Sequence, residues 1–170
     1  MLGKDFVSGF ISLVFFLSRS PCRVVTTSAD YSQLESVLWG EIRRFIQTST
    51  HPDDRTKLGI LDSRQGGPLL VNHLHIRRIF DNGELCPLSY LIGRVAAKGE
   101  GMLGHHIAET GDGIPRTLWL ADEASGVEDI SYERASTWAR RMLIIGNCYS
   151  GAPGCSFFQK AVQGGDLVAK

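Results

Sequence analysis

Short apolar or β-branched runs alternate with segments of helical periodicity along most of this chain. The runs lie at residues 22–27, 89–97, 117–121 and 142–147. Each has the length of one strand, and the last two are apolar on both faces, as in strands covered on both sides of a sheet. Because helical segments separate the runs, the pattern predicts an α/β fold with a mainly parallel sheet flanked by helices.

Three segments have the periodicity of helices, and they are residues 5–18, 30–47 and 131–141. The first is apolar on nearly all sides, and we expect its regularly spaced Phe6, Phe10, Leu13 and Leu17 to be buried. Asp30 can cap the second helix, with Gln33 three residues later as in a capping box.

The remaining segments have weaker patterns. Ile60 and Leu61 suggest a small strand, and residues 66–68 a turn. Residues 69–80 have mixed periodicity. The glycine-rich residues 99–113 predict a long loop, and long loops in compact domains are often functional. A final short helix is predicted near residues 156–162.

The composition is that of one ordinary globular domain. The chain has 170 residues, with 18 Lys plus Arg and 18 Asp plus Glu, so an overall basic surface offers no evidence for nucleic-acid binding. The four cysteines form no CxxC pair and have no histidines at zinc spacing, which favours reduced thiols in a cytosolic protein. His105 and His106 are neighbours, and a structural or surface role is favoured over metal binding.

The apolar run from Phe6 to Leu17 is open to a second interpretation, the core of a signal peptide. The run is too short for a transmembrane helix, which needs ~20 apolar residues. No small-x-small cleavage site follows it, and Asp5 stands where a basic segment is expected. A secreted protein is therefore an alternative with little support.

Two acidic residues, Asp122 and Glu123, follow the apolar strand 117–121 directly. Ligands of parallel α/β sheets bind outside the carboxyl ends of the strands. An aspartate there can hold Mg²⁺, and a neighbouring glutamate can activate a water molecule. This is the Walker B arrangement, although acidic residues that merely face solvent would give the same pattern.

Two weaker signals accompany it. Gly3 and Lys4 open the first helix and match the end of a P-loop, G-x-x-x-x-G-K-[ST], whose backbone and lysine bind phosphates. Asp5 stands where that motif has Ser or Thr. Asn147 ends the strand after Asp122 and Glu123, where translocases place a residue that senses hydrolysis. The order of the three signals is that of a RecA-like, additional-strand P-loop NTPase.

Four segments resemble the ATPase domain of the large terminase subunit of tailed phages: residues 23–30, 38–44, 118–127 and 143–147. The second contains Leu38-Trp39-Gly40-Glu41-Ile42, the third is similar to the family's Walker B segment, and the fourth, with Phe157 and Phe158 after it, to its coupling motif. The similarity extends over most of residues 3–163 and is weakest in 50–90.

The resemblance implies ATP hydrolysis coupled to packaging of double-stranded DNA into a procapsid. Gly3, Lys4 and Asp5 would then bind nucleotide, Asp122 would bind Mg²⁺, Glu123 would activate water, and Asn147 would couple hydrolysis to movement. It also implies a small terminase subunit and a portal protein as partners, a pentamer, and the host cytoplasm, with no membrane. Arg77, Arg78, Arg134 and Arg140 are candidates for the arginine finger.

The resemblance further implies that residues 1–170 are a partial ATPase domain, incomplete at both ends. The chain would begin inside the Walker A loop and lack the nuclease domain, and the isolated fragment would be inactive. Two alternatives remain open. One is another P-loop helicase or translocase, and the other is a non-catalytic remnant or binding module.

Overall fold

The computed structural model describes residues 3–96, 101–108 and 111–146. The strands are β1 (Arg23–Ser28), β2 (Leu69–Asn72), β3 (His75–Ile79), β4 (Leu85–Val95), β5 (Thr117–Asp122) and β6 (Arg141–Ile144). The helices are α1 (Lys4–Leu17), α2 (Trp39–Thr48) and α3 (Asp129–Ser136), and a π-helical segment, Gln33–Leu38, leads into α2. The predicted alternation of strands and helices is confirmed.

The six strands form one mostly parallel sheet in the order β2-β3-β4-β1-β5-β6. Strand β1 pairs in parallel with β4 on one side and with β5 on the other, and β5 pairs in parallel with β6. The pairs β2–β3 and β3–β4 are antiparallel. The sheet therefore has a parallel half, in which the chain crosses over between strands, and an antiparallel half built from a hairpin.

Side chains of the parallel half alternate between two cores. On one side, Leu118 and Leu120 of β5 pack with α1 and α2, and on the other, Trp119 and Ala121 pack with α3. All six residues of β5 are buried. An apolar strand without alternation is the pattern expected where both faces of a sheet are covered.

Two adjacent threonines of β1 point to opposite faces of the sheet, one into each core. Thr26 Oγ1 accepts a hydrogen bond from Trp39 Nε1 at 2.9 Å, and Thr27 Oγ1 accepts one from Trp119 Nε1 at 2.9 Å. A buried indole N–H without a partner is costly, so these bonds allow two tryptophans to fill the cores.

Helix α1 lies on α2 and on the sheet, but its outer side is exposed. Gly9 allows close approach, because a Cβ there would lie 3.2 Å from Glu41 Cβ. Leu13 and Phe16 are buried, whereas Phe6 and Phe10 are about half exposed. The expectation that Phe6 and Phe10 are buried is wrong, since in the described residues only one helix flanks α1.

The segment before α2 begins as predicted. Asp30 Oδ1 accepts hydrogen bonds from the backbone N–H groups of Ser32 and Gln33. Leu34, Leu38, Ile42 and Ile46 then form the buried face. The first turns are π-helical rather than α-helical.

The antiparallel hairpin was not predicted. Residues 69–79 form β2 and β3, whereas Ile60 and Leu61 lie in a turn and not in a strand. In the hairpin only Leu69 and Ile76 are fully buried, which leaves too few apolar positions for a visible alternation. Within the described residues, no helix has both the length and the apolar character needed to cross a membrane.

Candidate functional site

The strand β5 brings Asp122 to the carboxyl edge of the parallel half. Asp122 is the last residue of β5, lies opposite Ser28 of β1, and its side chain is fully buried. Burial of an ionisable side chain at this edge is unfavourable unless it has a partner, so the position indicates a built site rather than a solvated strand end.

The backbone turns sharply after Asp122. Glu123 has φ 49° and ψ 47°, and among the described residues it is the one non-glycine residue with positive φ. The left-handed conformation costs roughly 1–2 kcal/mol for such a residue. Strain of this kind persists only where the surroundings fix it, and it is frequent at functional sites.

The end of β6 holds that turn in place. Ala124 N donates to Ile145 O at 3.0 Å, and Ile145 N donates to Ala121 O at 2.9 Å. A Cβ on Gly146 would lie 2.6 Å from Ala124 N, so a glycine is needed where the two segments touch.

The amino end of α1 lies against the same turn. Gly3 has φ 139°, a conformation that L side chains rarely adopt, and Lys4 begins the helix. Ser8 Oγ donates to Lys4 O at 2.7 Å and reinforces the first turn. The free N–H groups of this turn would favour an anion.

Lys4 joins the two elements. Its Nζ lies 3.5 Å from Asp122 Oδ1 and forms a hydrogen-bonded ion pair with Glu123. Asp5 Oδ1 lies 3.9 Å from the same nitrogen. Residues 118 positions apart in sequence therefore form one cluster of an ammonium group and three carboxylates.

The cluster shifts the pKa values of its members. Burial raises the pKa of Asp122 to about 6, with Asp5 and Glu123 adding to the increase and Lys4 opposing it. Burial lowers the pKa of Lys4, but the hydrogen bond to Glu123 and the charges of Asp122 and Asp5 outweigh it, so the net pKa is raised. Lys4 thus stays charged. The attraction of Lys4 does not offset the cost of burying the Asp122 carboxylate.

Two carboxylate oxygens of the cluster are buried without a hydrogen-bond partner, Asp122 Oδ2 and Asp5 Oδ1. One ammonium group faces three carboxylates, so the cluster has an excess of negative charge. A divalent cation fits these oxygens, and Mg²⁺ often takes only one or two protein carboxylates and completes its shell with phosphates. Among the described residues, no group of three or more His, Cys, Asp or Glu is arranged to hold a metal ion by itself.

The structure thus brings together five of the predicted site residues: Gly3, Lys4, Asp5, Asp122 and Glu123. Asn147 lies outside the described residues, although Gly146 before it contacts the acidic turn. Arg78, a candidate arginine finger, is partly buried and donates to Phe16 O at 2.6 Å at the end of α1. Arg77 lies on β3, and Arg134 and Arg140 flank the end of α3.

Two residues at the site were not identified from the sequence. Gly146 is required by the contact with Ala124, and Ser28 ends β1 beside Asp122 with its hydroxyl buried and without a partner. A glycine directly after an apolar strand was the available signal for Gly146, but it does not reveal which backbone approaches. The signal for Ser28 was its place at the carboxyl end of a predicted strand.

Comparisons of the chain with protein-family models, with curated proteins and with solved structures gave no match.

Proposed function

We propose that this chain is the core of a P-loop ATPase and, more specifically, part of the motor of a large terminase. The observation that carries the proposal is the contact of Lys4, at the amino end of α1, with Asp122 and Glu123 at the carboxyl end of β5. A P-loop lysine and a Walker B acidic pair must lie this close, because they act on the same phosphates and the same metal ion. Two signals that are weak in the sequence support each other once they meet in space.

Each residue of the cluster has a role in this proposal. Lys4 leaves Glu123 and binds the phosphates of ATP, together with the N–H groups at the start of α1. Glu123 is then free to orient a water molecule and to accept its proton as the water oxygen bonds to the terminal phosphorus and the bond from that phosphorus to the bridging oxygen of ADP breaks. The strained turn and the contact of Gly146 with Ala124 hold Glu123 in place.

Asp122, with Asp5 beside it, would hold Mg²⁺. The ion, when bound, would neutralise charge on the phosphate oxygens. The unpartnered oxygens of both aspartates support this assignment, and Asp5 supplies an oxygen where the P-loop motif has a hydroxyl group. The chain's own contribution is a buried, negatively charged position beside the phosphate-binding helix.

The terminase part of the proposal rests on the resemblance of residues 23–30, 38–44, 118–127 and 143–147. With it come double-stranded DNA, a small terminase subunit and a portal protein as partners, a pentameric motor, and action in the host cytoplasm. Asn147 would couple hydrolysis to movement.

The test uses a fluorescent ATP analogue with Mg²⁺, together with phosphate release. Both are measured on this chain and on the chain extended upstream through a complete P-loop. Glu123→Gln should retain nucleotide binding and lower hydrolysis at least ~100-fold, because the group that accepts the proton is lost. Lys4→Met should abolish binding.

Glu133→Gln is the matched control, since it makes the same chemical change at an exposed position of α3. It should leave binding and hydrolysis unchanged. If neither length of chain binds the analogue although both give cooperative unfolding, the ATPase proposal is wrong. If hydrolysis survives Glu123→Gln, Glu123 is not the residue that activates water.

A further inference from the structure

The antiparallel half of the sheet has a second charged surface, on the side that faces α3. Helix α3 packs over β1 and β5, and no described helix covers β3 and β4 on this side. We call this surface the arginine face, and its residues are His75, Arg77, Tyr90, Arg94 and His105. His75, Tyr90, Arg94 and His105 border a cavity of about 410 Å³.

The strand register fixes the spacing of the two arginines. Arg77 of β3 lies opposite Tyr90 of β4, and Arg94 follows Tyr90 by four residues on the same strand. Strand rise and strand spacing place the Cα atoms of Arg77 and Arg94 roughly 14 Å apart. The side chains of Tyr90, Ile92 and Arg94 share one side of β4, because strand residues alternate.

Aromatic rings between the arginines form a fixed platform. Tyr90 Oη and His105 Nδ1 are hydrogen-bonded at 2.6 Å, and His105 Nε2 lies 2.9 Å from Gly101 O. The ring of His75 meets that of Tyr90 edge to face, with centroids 6.3 Å apart. Hydrogen bonds and ring contacts thus hold the aromatic floor of the cavity, Arg94 at its border is exposed, and Arg77 lies beside the cavity and is partly buried.

Among the described residues, the arginine face carries two guanidinium groups and no carboxylate. Neither Arg77 nor Arg94 forms an ion pair within the described part of the chain, and no carboxylate lies among the cavity-lining residues described. Burial lowers the pKa of His75, and the positive charges of Arg77 and Arg94 lower it further. Both guanidinium groups therefore contribute positive charge at the ring of His75.

We propose that the arginine face binds the phosphate backbone of duplex DNA, with phosphates at Arg77 and Arg94. Each DNA strand carries a phosphate about every 3.4 Å of helix axis and also winds around that axis, so phosphates about two steps apart along one strand match the spacing of the arginines. A single nucleotide carries its charge on one short chain of phosphates, whereas a DNA strand presents further phosphates along the whole surface. The choice of DNA rests on the proposed function, whereas the anionic character of the ligand follows from the charges.

The experiment measures binding of a fluorescently labelled duplex by anisotropy between 50 and 200 mM salt. The double variant Arg77→Gln with Arg94→Gln should weaken binding at least ~10-fold at the lower salt concentration. It should also reduce the slope of log K against log salt by about two, because each phosphate contact contributes about 0.9. The Lys double variant should retain most of that slope, since a point charge still pairs with phosphate.

Arg44→Gln is the control, because Arg44 is exposed on α2 on the opposite side of the sheet. It should leave the slope unchanged. An unchanged slope in the Gln double variant would overturn the proposal, and so would equal loss in the Lys and Gln variants. Competition by ATP at the arginine face would reassign it to a mononucleotide and overturn the assignment to DNA.

Binding of the ATP analogue is measured on the same samples, so that the two proposals can fail separately. Loss of DNA binding with retained nucleotide binding in the Gln double variant supports the arginine face. If the unmodified chain binds DNA with the expected slope but neither it nor the extended chain binds nucleotide, the ATPase proposal fails and the arginine face stands.

Discussion

The carboxyl end of β5 and the arginine face lie on one sheet and differ in almost every physical respect. At β5 a fully buried Asp122 meets one lysine and two further carboxylates, and the backbone is strained at Glu123. On β3 and β4 the charges are arginines, the surface is open, and no described non-glycine residue has a positive φ, although the ladder shifts register between Arg77 and Ile79. The first arrangement suits chemistry on one ligand, and the second suits recognition of a repeated charge.

The two regions also show why the total charge of the chain was uninformative. The 18 basic and 18 acidic residues cancel in sum, yet the structure separates negative charge at β5 from positive charge on β3 and β4. The electric field that a ligand meets depends on where the charges lie. Charges farther away than the Debye length, about 10 Å at 0.1 M salt, are largely screened.

The largest expected effect tests the difference in burial between the two halves. Trp119 is fully buried, its Nε1 donates to Thr27, and its ring lies 5.0 Å from that of Tyr132. Trp119→Ala should lower the free energy of unfolding by roughly 3–5 kcal/mol, through the cavity and the loss of its hydrogen bond. Leu88→Ala, at a half-exposed position of β4, should cost less than about 1 kcal/mol. Urea unfolding of both variants measures the difference, and equal losses would show that the two halves are equally packed.

The second prediction concerns acid. The folded pKa of Asp122 is raised to about 6, above the ordinary value of 3.8, so the folded state binds this proton more tightly than the unfolded state. Asp122 therefore destabilises the fold as pH rises from about 4 to about 6, by up to roughly 3 kcal/mol. Asp122→Asn removes this dependence, and the variant should be the more stable protein at pH 7.5 but not at pH 4.5. Unfolding of both proteins across this range gives the difference, and a constant difference would contradict the assigned pKa.

The third prediction has the opposite sign and a smaller size. Burial lowers the pKa of His105 below 6.5, with contributions from Arg94 and Arg23, although a hydrogen bond to Gly101 opposes the shift. The stability that comes from neutral His105 is present above about pH 6.5 and is lost as pH falls towards the folded pKa. His105→Gln should therefore flatten the acid side of the stability curve. If the stability difference between this variant and the unmodified protein is the same at pH 7.5 and pH 5, His105 does not titrate differently on folding.

Strands β1 and β5 of the parallel half could be predicted from the sequence because both of their faces are buried, whereas β6 is only partly buried. Strands β1 and β5 read as continuous apolar or β-branched runs, and Asp122 with Glu123 marks the end of β5. The hairpin of β2 and β3 could not be predicted, since it places Arg77 and Arg78 on opposite sides of one strand and leaves little apolar pattern. The arginine face depends on register across β3 and β4, and no local pattern encodes register.

Part of the site was also predictable, and part was not. Lys4 and Glu123 were identified as separate signals, but their contact depends on how α1 packs on β5 across 119 positions. The positive φ of Glu123 and the contact at Gly146 arise from the approach of β6 to the turn. The predicted burial of Phe6 and Phe10 is wrong because apolar character alone does not say which side of a helix has a neighbour.

The smallest expected effect isolates the strain at the end of β5, a feature that the arginine face does not share. Glu123→Gly and Glu123→Ala both remove the carboxylate, but only glycine adopts φ 49° without a steric penalty. The penalty of about 1–2 kcal/mol is partly offset by the greater freedom of glycine in the unfolded chain, so Glu123→Gly should be more stable than Glu123→Ala by about 0.5–1 kcal/mol. Paired urea titrations measure this difference. Equal stability of the two variants would mean that the turn relaxes to negative φ once the ion pair with Lys4 is lost. In that case the electrostatic cluster, and not the contact at Gly146, holds Glu123 in its conformation.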